Sequence, residues 1–113
     1  YVSSGDGNLY AFSATGTSGC SGTPKVCEPL WTAAGAGGQS SPAVANGVVY
    51  NGAAGRVYAF SAAGTTGCSG TPKTCTPLWT GGSSGITYAS PAVANGMVYE
   101  AEWDAPFLYA FSQ

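Results

Sequence analysis

Four cysteines are the residues of this chain best suited to metal, redox or covalent chemistry, and they lie in two near copies of one loop. The first copy, CSGTPKVC, runs from Cys20 to Cys27, and the second, CSGTPKTC, runs from Cys68 to Cys75. Four cysteines allow three disulfide pairings, and equal spacing at equivalent positions favours Cys20–Cys27 and Cys68–Cys75. Closing so short a loop stabilises a fold by about 2.5 kcal/mol in the chain-entropy treatment. We therefore predict one structural disulfide in each copy.

Zinc ligation and redox chemistry are the alternatives to structural bridging. A zinc site needs four converging ligands, yet the pairs lack Cys-x-x-Cys spacing and the chain has no histidine. A redox pair is also expected as Cys-x-x-Cys. Since disulfides persist in oxidising compartments, structural bridges predict an extracellular, cell-surface or periplasmic location.

Catalytic constellations are poorly supported by the remaining side chains. Without histidine, neither a Ser-His-Asp nor a Cys-His arrangement can form within this chain. Carboxylates gather in one stretch only, where Glu100, Glu102 and Asp104 are three of the chain's five acids. We predict no catalytic residue, no metal ligand and no cofactor-binding residue here.

That acid-rich stretch is the candidate binding loop. It contains Trp103, differs from its counterparts elsewhere in the chain, and is expected to lie beside the connection that carries Tyr88. Function on rigid scaffolds is concentrated in such loops. Acids beside an exposed tryptophan suit a cation, a sugar face or a protein partner. The alternative is that Trp103 packs on a neighbouring unit and the acids are merely solvated.

The composition indicates an all-β protein. Of 113 residues 18 are glycine, 7% are charged and 44% are hydrophobic. Frequent Gly, Ser and Thr between short apolar runs fit tight turns and disfavour helices. A net charge of −2 argues against nucleic acid or anionic lipid as a partner. No apolar run is long enough to span a bilayer, so membrane insertion is not expected.

Long internal repeats organise the chain. The segment LYAFSATGTSGCSGTPKVCEPLWT at 9–32 recurs with few changes at 57–80, and SPAVANGVVY at 41–50 recurs at 90–99. A third LYAFS closes the chain at 108–112. The spacing from Tyr10 to Tyr58 is 48 positions and from Tyr58 to Tyr109 it is 51, which defines the repeating unit.

Each unit is predicted to form four short strands. In the complete copy these are Pro42–Asn46, Val48–Ala53, Arg56–Ala62 and Pro77–Thr80. The first pair is joined by Asn-Gly, a strong two-residue hairpin signal. Within the third strand, neither face of VYAFSA at 57–62 is charged, as expected for a sheet that is covered on both sides. Stacked four-stranded sheets of this kind are the blades of a β-propeller.

The repeat resembles the blade of pyrroloquinoline-quinone-type β-propellers, in which a strand–turn–strand segment is followed by a tryptophan on the outer strand. The resemblance implies that Trp31 and Trp79 dock against the neighbouring blade. Two departures stand out. The family usually has Asp where this chain has Ser13 and Ser61, and the cysteine loop is inserted before the tryptophan. Quinone and calcium would follow from family analogy alone, and no motif of this chain supports them.

The chain is expected to hold about two and a third blades of one propeller domain. Residues 1–40 form a partial blade with strands two to four and a connector, 41–89 a complete blade, and 90–113 a partial blade with strands one to three. We expect a segment of a larger propeller, whose partners are its remaining blades or further copies of itself, with a protein or carbohydrate as possible ligand. The expected function is a non-catalytic binding or assembly scaffold. The alternatives are part of a quinone-dependent dehydrogenase whose catalytic residues lie elsewhere, or a structural protein that self-assembles into a ring or filament.

Overall fold

The chain folds into short β-strands arranged in small sheets. A computed structural model describes residues 1–82 and 88–113, and these residues contain no helix. An all-β fold is therefore confirmed. The strands in the described residues are β1 (Val2–Ser3), β2 (Asn8–Ala11), β3 (Cys20–Ser21), β4 (Val26–Cys27), β5 (Trp31–Ala34), β6 (Ala43–Ala45), β7 (Val48–Ala53), β8 (Arg56–Ser61), β9 (Cys68–Ser69), β10 (Thr74–Cys75), β11 (Trp79–Gly82), β12 (Ala92–Ala94), β13 (Met97–Ala101) and β14 (Leu108–Ser112).

The sheets follow the sequence repeats, which are called repeat 1 (residues 1–40), repeat 2 (41–89) and repeat 3 (90–113). Repeat 2 forms a four-stranded sheet with the order β11-β8-β7-β6, and repeat 3 a three-stranded sheet with the order β12-β13-β14. The sheet of repeat 1 contains β1, β2 and β5, and it is extended by β10 and β9 from repeat 2. Strands β3 and β4 pair only with each other in the described structure. Closure into a ring is not seen among the described residues.

Asn-Gly turns set the register of two hairpins. Asn46 and Gly47, between β6 and β7, have φ angles of 50° and 76°. Asn95 and Gly96, between β12 and β13, have φ angles of 52° and 76°. Two successive positive φ angles are typical of the tight turn whose twist matches antiparallel strands, and Asn and Gly are the residues that tolerate it best. The turn predicted from the sequence is thus present in both repeats.

The predicted strands differ from the observed ones mainly at their ends. The strand Val48–Ala53 is found as predicted, whereas the first strand is Ala43–Ala45 and the third ends at Ser61. The outer strand is Trp79–Gly82, not Pro77–Thr80. Proline has no N–H to donate to a ladder, so pairing begins only after it, with the N–H of Leu78 donating to the carbonyl of Ala59 at 2.7 Å.

Each cysteine loop is a small β-hairpin closed by its own disulfide. Cys20 pairs with Cys27 and Cys68 with Cys75, and in both pairs the Cα atoms are 4.0 Å apart. The two cysteines of each bridge face each other directly across the hairpin. The pairing that the spacing predicted is therefore the pairing in the structure, and the described residues contain no free cysteine.

The second cysteine hairpin has a contact that sequence reasoning missed. Its strand β10 adds to the outer edge of β5 in repeat 1, with Thr74 beside Thr32 in parallel orientation. The N–H of Thr32 donates to the carbonyl of Lys73 at 3.1 Å. This pairing joins two repeats through backbone hydrogen bonds, so the hairpin does more than brace its own loop.

Two apolar clusters lie between successive sheets. The cluster between repeats 1 and 2 holds Leu9, Ala11, Trp31, Ala33, Ala36, Val49, Phe60 and Cys75, all buried. The cluster between repeats 2 and 3 holds Tyr50, Val57, Ala59 and Val98. Both faces of the repeat 2 sheet are consequently covered, which explains why the one charged residue of its strands, Arg56, lies at the exposed start of β8.

Each repeated tryptophan lies between a tyrosine of its own repeat and a phenylalanine of the next. The ring centroid of Trp31 is 5.8 Å from that of Tyr1 and 6.0 Å from that of Phe60. Its indole N–H also reaches the carbonyl of Ala62, 3.4 Å away in repeat 2. The counterparts in the next pair of repeats are Trp79 with Tyr50 at 5.9 Å and with Phe111 at 6.0 Å.

Candidate functional site

The loop between β13 and β14, residues 102–107, is named the Trp103 loop. The N–H of Glu102 donates to the carbonyl of Phe107 at 3.0 Å, which closes the base of the loop. The N–H of Phe107 donates to the carbonyl of Ala105 at 2.8 Å. The hydroxyl of Tyr109, in β14, donates to Oε2 of Glu102 at 2.8 Å. These bonds give the loop a defined shape at the end of a rigid hairpin.

Tyr88 and Trp103, two of the predicted binding residues, are in contact. Their rings meet edge to face, with centroids 5.2 Å apart and planes at 87°. Trp103 is 69% exposed and Tyr88 is 37% exposed, so solvent reaches both residues. Asp104 is exposed beside them. The rest of the connection before Tyr88, residues 83–87, lies outside the described residues.

Glu100, also predicted for this loop, lies elsewhere. It belongs to β13 and is only 1% exposed. A β-carbon added at Gly52 of repeat 2 would lie 2.5 Å from its Oε1, so the carboxyl packs against that backbone. Neither carboxyl oxygen has a hydrogen-bond partner among the described residues. Desolvation by burial raises the pKa of Glu100 from 4.5 to about 7.

Asn51 of repeat 2 is the residue equivalent to Glu100 of repeat 3. Asn51 pairs with Tyr58 across its sheet as Glu100 pairs with Tyr109. The Asn51 side-chain amide donates to the carbonyl of Ala36 at 2.6 Å, and this bond links repeats 1 and 2. The position is therefore a buried polar site between sheets in both repeats, and alignment of Asn51 with Glu100 was the signal that could have revealed it.

Two exposed apolar side chains lie at the C-terminal end of the Trp103 loop and at the start of β14, and the predicted site did not include them. Phe107 is 59% exposed and Leu108 is 67% exposed. The counterparts of Leu108 in repeats 1 and 2 are Leu9 and Val57, which are 0% and 2% exposed because the next sheet covers them. Leu108 therefore lies on the face of the repeat 3 sheet that corresponds to the covered faces of repeats 1 and 2.

Asp6, an acid outside the Trp103 loop, serves local structure. Asp6 accepts hydrogen bonds from the N–H of Asn8 at 3.0 Å and from the hydroxyl of Tyr10 at 2.7 Å. The Tyr10 hydrogen bond lowers the pKa of Asp6. This carboxylate therefore closes the turn before β2. Within residues 1–82 and 88–113, no three Cys, Asp or Glu side chains come together in a way that could hold a metal ion.

An open groove of about 610 Å³ lies away from the Trp103 loop, in repeat 1 and its connection to repeat 2. Its lining includes Tyr1, Ser3, Gln39 and Ser40. The groove lining contains no Asp, Glu, Lys or Arg side chain.

No protein-family model matches this chain, and no curated protein matches its sequence. In the described residues no helix has the length and apolar character to cross a membrane. The two disulfides favour an oxidising environment.

Proposed function

We propose that this chain is a segment of an extracellular β-propeller of the quinoprotein-like repeat type, and that it acts as a non-catalytic scaffold. The Trp103 loop is its ligand-binding surface, and the ligand class is carbohydrate. The observation that carries the proposal is the exposed pair of Trp103, on a loop whose sequence differs from its counterparts in repeats 1 and 2, and Tyr88, in the connection before β12.

The scaffold part of the proposal is supported by the way the sheets stack. Trp31 and Trp79 each bridge one repeat to the next, and apolar clusters fill both junctions. A unit that buries its faces mainly against its neighbours gives a stiff array of near-identical parts. Such an array can hold one variable loop in a fixed position.

The chemistry of the Trp103 loop suits a sugar. The apolar face of a pyranose stacks on an exposed aromatic ring, and carboxylates accept hydrogen bonds from its hydroxyls. Trp103 supplies the ring and Asp104 an exposed carboxylate next to it. Glu102 accepts a hydrogen bond from Tyr109, so its role is to hold the loop in shape.

Tryptophan fluorescence tests the proposal, because Trp103 is 69% exposed whereas Trp31 is 3% exposed. Titration with cello-, chito- and xylo-oligosaccharides should quench or shift the emission with at least one of them. Trp103→Ala should abolish the response, and Trp103→Phe should retain part of it. Val26→Ala, at an exposed apolar residue of the first cysteine hairpin, is the matched control and should leave binding unchanged.

Two results would overturn the proposal. The first is absence of any Trp103-dependent binding to the three oligosaccharide families, with binding of a protein partner at this loop instead. The second is a quinone chromophore in the absorbance spectrum of the protein purified from its source, together with dye-linked oxidation of alcohols or sugars. That second result would favour a dehydrogenase.

A further inference from the structure

The outer edge of β11 is the surface from which we draw a further inference. β11 is the counterpart of β5: Thr80 pairs with Tyr58 just as Thr32 pairs with Tyr10. β5 carries a disulfide-closed hairpin on its outer edge. β11 is the edge strand of its sheet in the described part of the chain. The two strands thus share a register, and one of them shows what the other can bind.

We propose that the outer edge of β11 binds a disulfide-closed hairpin of the CSGTPK-x-C type, carried by a further repeat. Strand addition supplies backbone hydrogen bonds. The N–H of Thr32 donates to the carbonyl of Lys73, and in the proposed complex the N–H of Thr80 donates to the equivalent lysine carbonyl of the added hairpin. This inference rests on the proposed repeat scaffold and names the partner that extends it. It does not involve the Trp103 loop.

The strand that would deliver such a hairpin is already in place. Gln113 follows β14 as Ala62 follows β8, and the N–H of Gln113 donates to Gly96 at 3.0 Å as that of Ala62 donates to Gly47 at 2.9 Å. Phe111 meets Trp79 with centroids 6.0 Å apart, the same distance that separates Phe60 from Trp31. The junction of repeats 2 and 3 therefore reproduces the junction at which the hairpin docks.

The hairpin is a preformed ligand. The copy from Cys20 to Cys27 pairs with itself alone in the described structure, yet it has the same bridge and the same strand pairing as the docked copy. Lys25 donates to the carbonyl of Gly16 at 2.8 Å, as Lys73 does to that of Gly64 at 3.3 Å. A hairpin that needs no partner to fold loses little conformational entropy when it binds.

An extended chain tests the proposal. The sequence of residues 63–77 is appended after Gln113, which places a third hairpin at the position that follows β14. The matched control carries the same extension with both added cysteines replaced by serine. Hydrogen exchange of single amides is then followed by NMR in the extended chain, the control and the unextended chain.

The expected result is a third disulfide by mass and Thr80 amide exchange that is slowed by roughly tenfold or more, toward the rate of Thr32. In the serine control the exchange of Thr80 should stay near that of the unextended chain. Unchanged Thr80 exchange despite a third bridge, equal slowing in the serine control, or failure of the third bridge to form would each overturn the proposal. Oligosaccharide titration of the same extended protein measures sugar binding at the Trp103 loop separately. Failure of hairpin docking is therefore distinguishable from failure of the proposed sugar binding.

Discussion

The indole of Trp31 occupies the space in which any residue other than glycine at position 64 would place its β-carbon. A methyl group added there would overlap Cδ1 of the indole. Gly64 also has a φ of +63°, a backbone conformation that glycine adopts most readily. The sequence of repeat 2 is thus adapted at one position both to its own turn and to the tryptophan of repeat 1.

Replacing Gly64 with alanine should therefore destabilise the protein in two ways. The positive φ costs about 1 kcal/mol, and displacement of Trp31 adds about 1 to 3 kcal/mol. Gly16→Ala is the matched control, since Gly16 has the same φ of +63° and its added methyl would meet only the Lys25 side chain at 3.9 Å. Urea unfolding of both variants measures the difference. Equal losses would show that Trp31 does not depend on Gly64.

Glu100 should make stability depend on pH between 4.5 and 7. Burial raises its folded pKa to about 7, whereas the unfolded value is near 4.5. The folded state therefore holds the Glu100 proton more tightly than the unfolded state does. The resulting contribution to the free energy of unfolding is complete below pH 4.5 and is lost as the pH rises to 7. The free energy of unfolding should fall over that window by up to about 3 kcal/mol.

Glu100→Gln removes this titration and keeps a side chain of similar size. Urea unfolding at pH 4, 5, 6 and 7 should give a flat profile for the variant, and the variant should be the more stable protein at pH 7. Glu102→Gln is the matched control, because Glu102 is only partly buried and accepts a hydrogen bond from Tyr109. A wild-type profile that is already flat would contradict the burial of Glu100.

The tryptophans should respond to truncation according to their exposure. Trp31→Ala removes a side chain that is 3% exposed from the junction of two repeats, and should cost about 3 to 5 kcal/mol. Trp103→Ala removes one that is 69% exposed, and should change stability by less than about 0.5 kcal/mol. Thermal unfolding of the two variants compares them directly. A large loss in the second variant would mean that Trp103 packs against another part of the protein.

Local features of this chain were predictable because they depend on a few adjacent residues. Asn46-Gly47 specifies its turn, and the equal spacing of the cysteines specifies their bridges. The sequence also predicts that the Trp103 loop lies beside the connection that carries Tyr88, but it does not predict the edge-to-face contact of the two rings. The end of each strand beside proline was misplaced, since the loss of one donor shifts pairing by a residue or two.

Two features were not predicted because they depend on relations between repeats. The parallel pairing of Thr74 with Thr32 joins residues 42 positions apart, and nothing in the hairpin sequence specifies which edge it meets. The burial of Glu100 follows from its position in β13, which is equivalent to that of Asn51 in β7, and from the closeness of Gly52. Its acidity and its neighbours suggested an exposed loop, whereas the strand it occupies points it between two sheets.

Removal of each disulfide in turn tests whether a cysteine hairpin joins one repeat to the previous one. The paired variants are Cys20→Ser with Cys27→Ser, and Cys68→Ser with Cys75→Ser. Both lose about 2.5 kcal/mol of loop-closure stabilisation, because the two loops are equally long. Cys75 lies in the cluster between repeats 1 and 2 and Cys68 packs against it, so the second variant should lose at least about 1 kcal/mol more.

The decisive measurement is urea unfolding of the two double variants, read together with hydrogen exchange at the Thr32 amide. We predict a larger stability loss and faster Thr32 exchange for the Cys68–Cys75 variant. In the Cys20–Cys27 variant, Thr32 exchange should be unchanged when the two variants are compared under conditions that give them equal free energies of unfolding. Equal stability losses, with Thr32 exchange the same in both, would show that the second hairpin does not join repeat 2 to repeat 1.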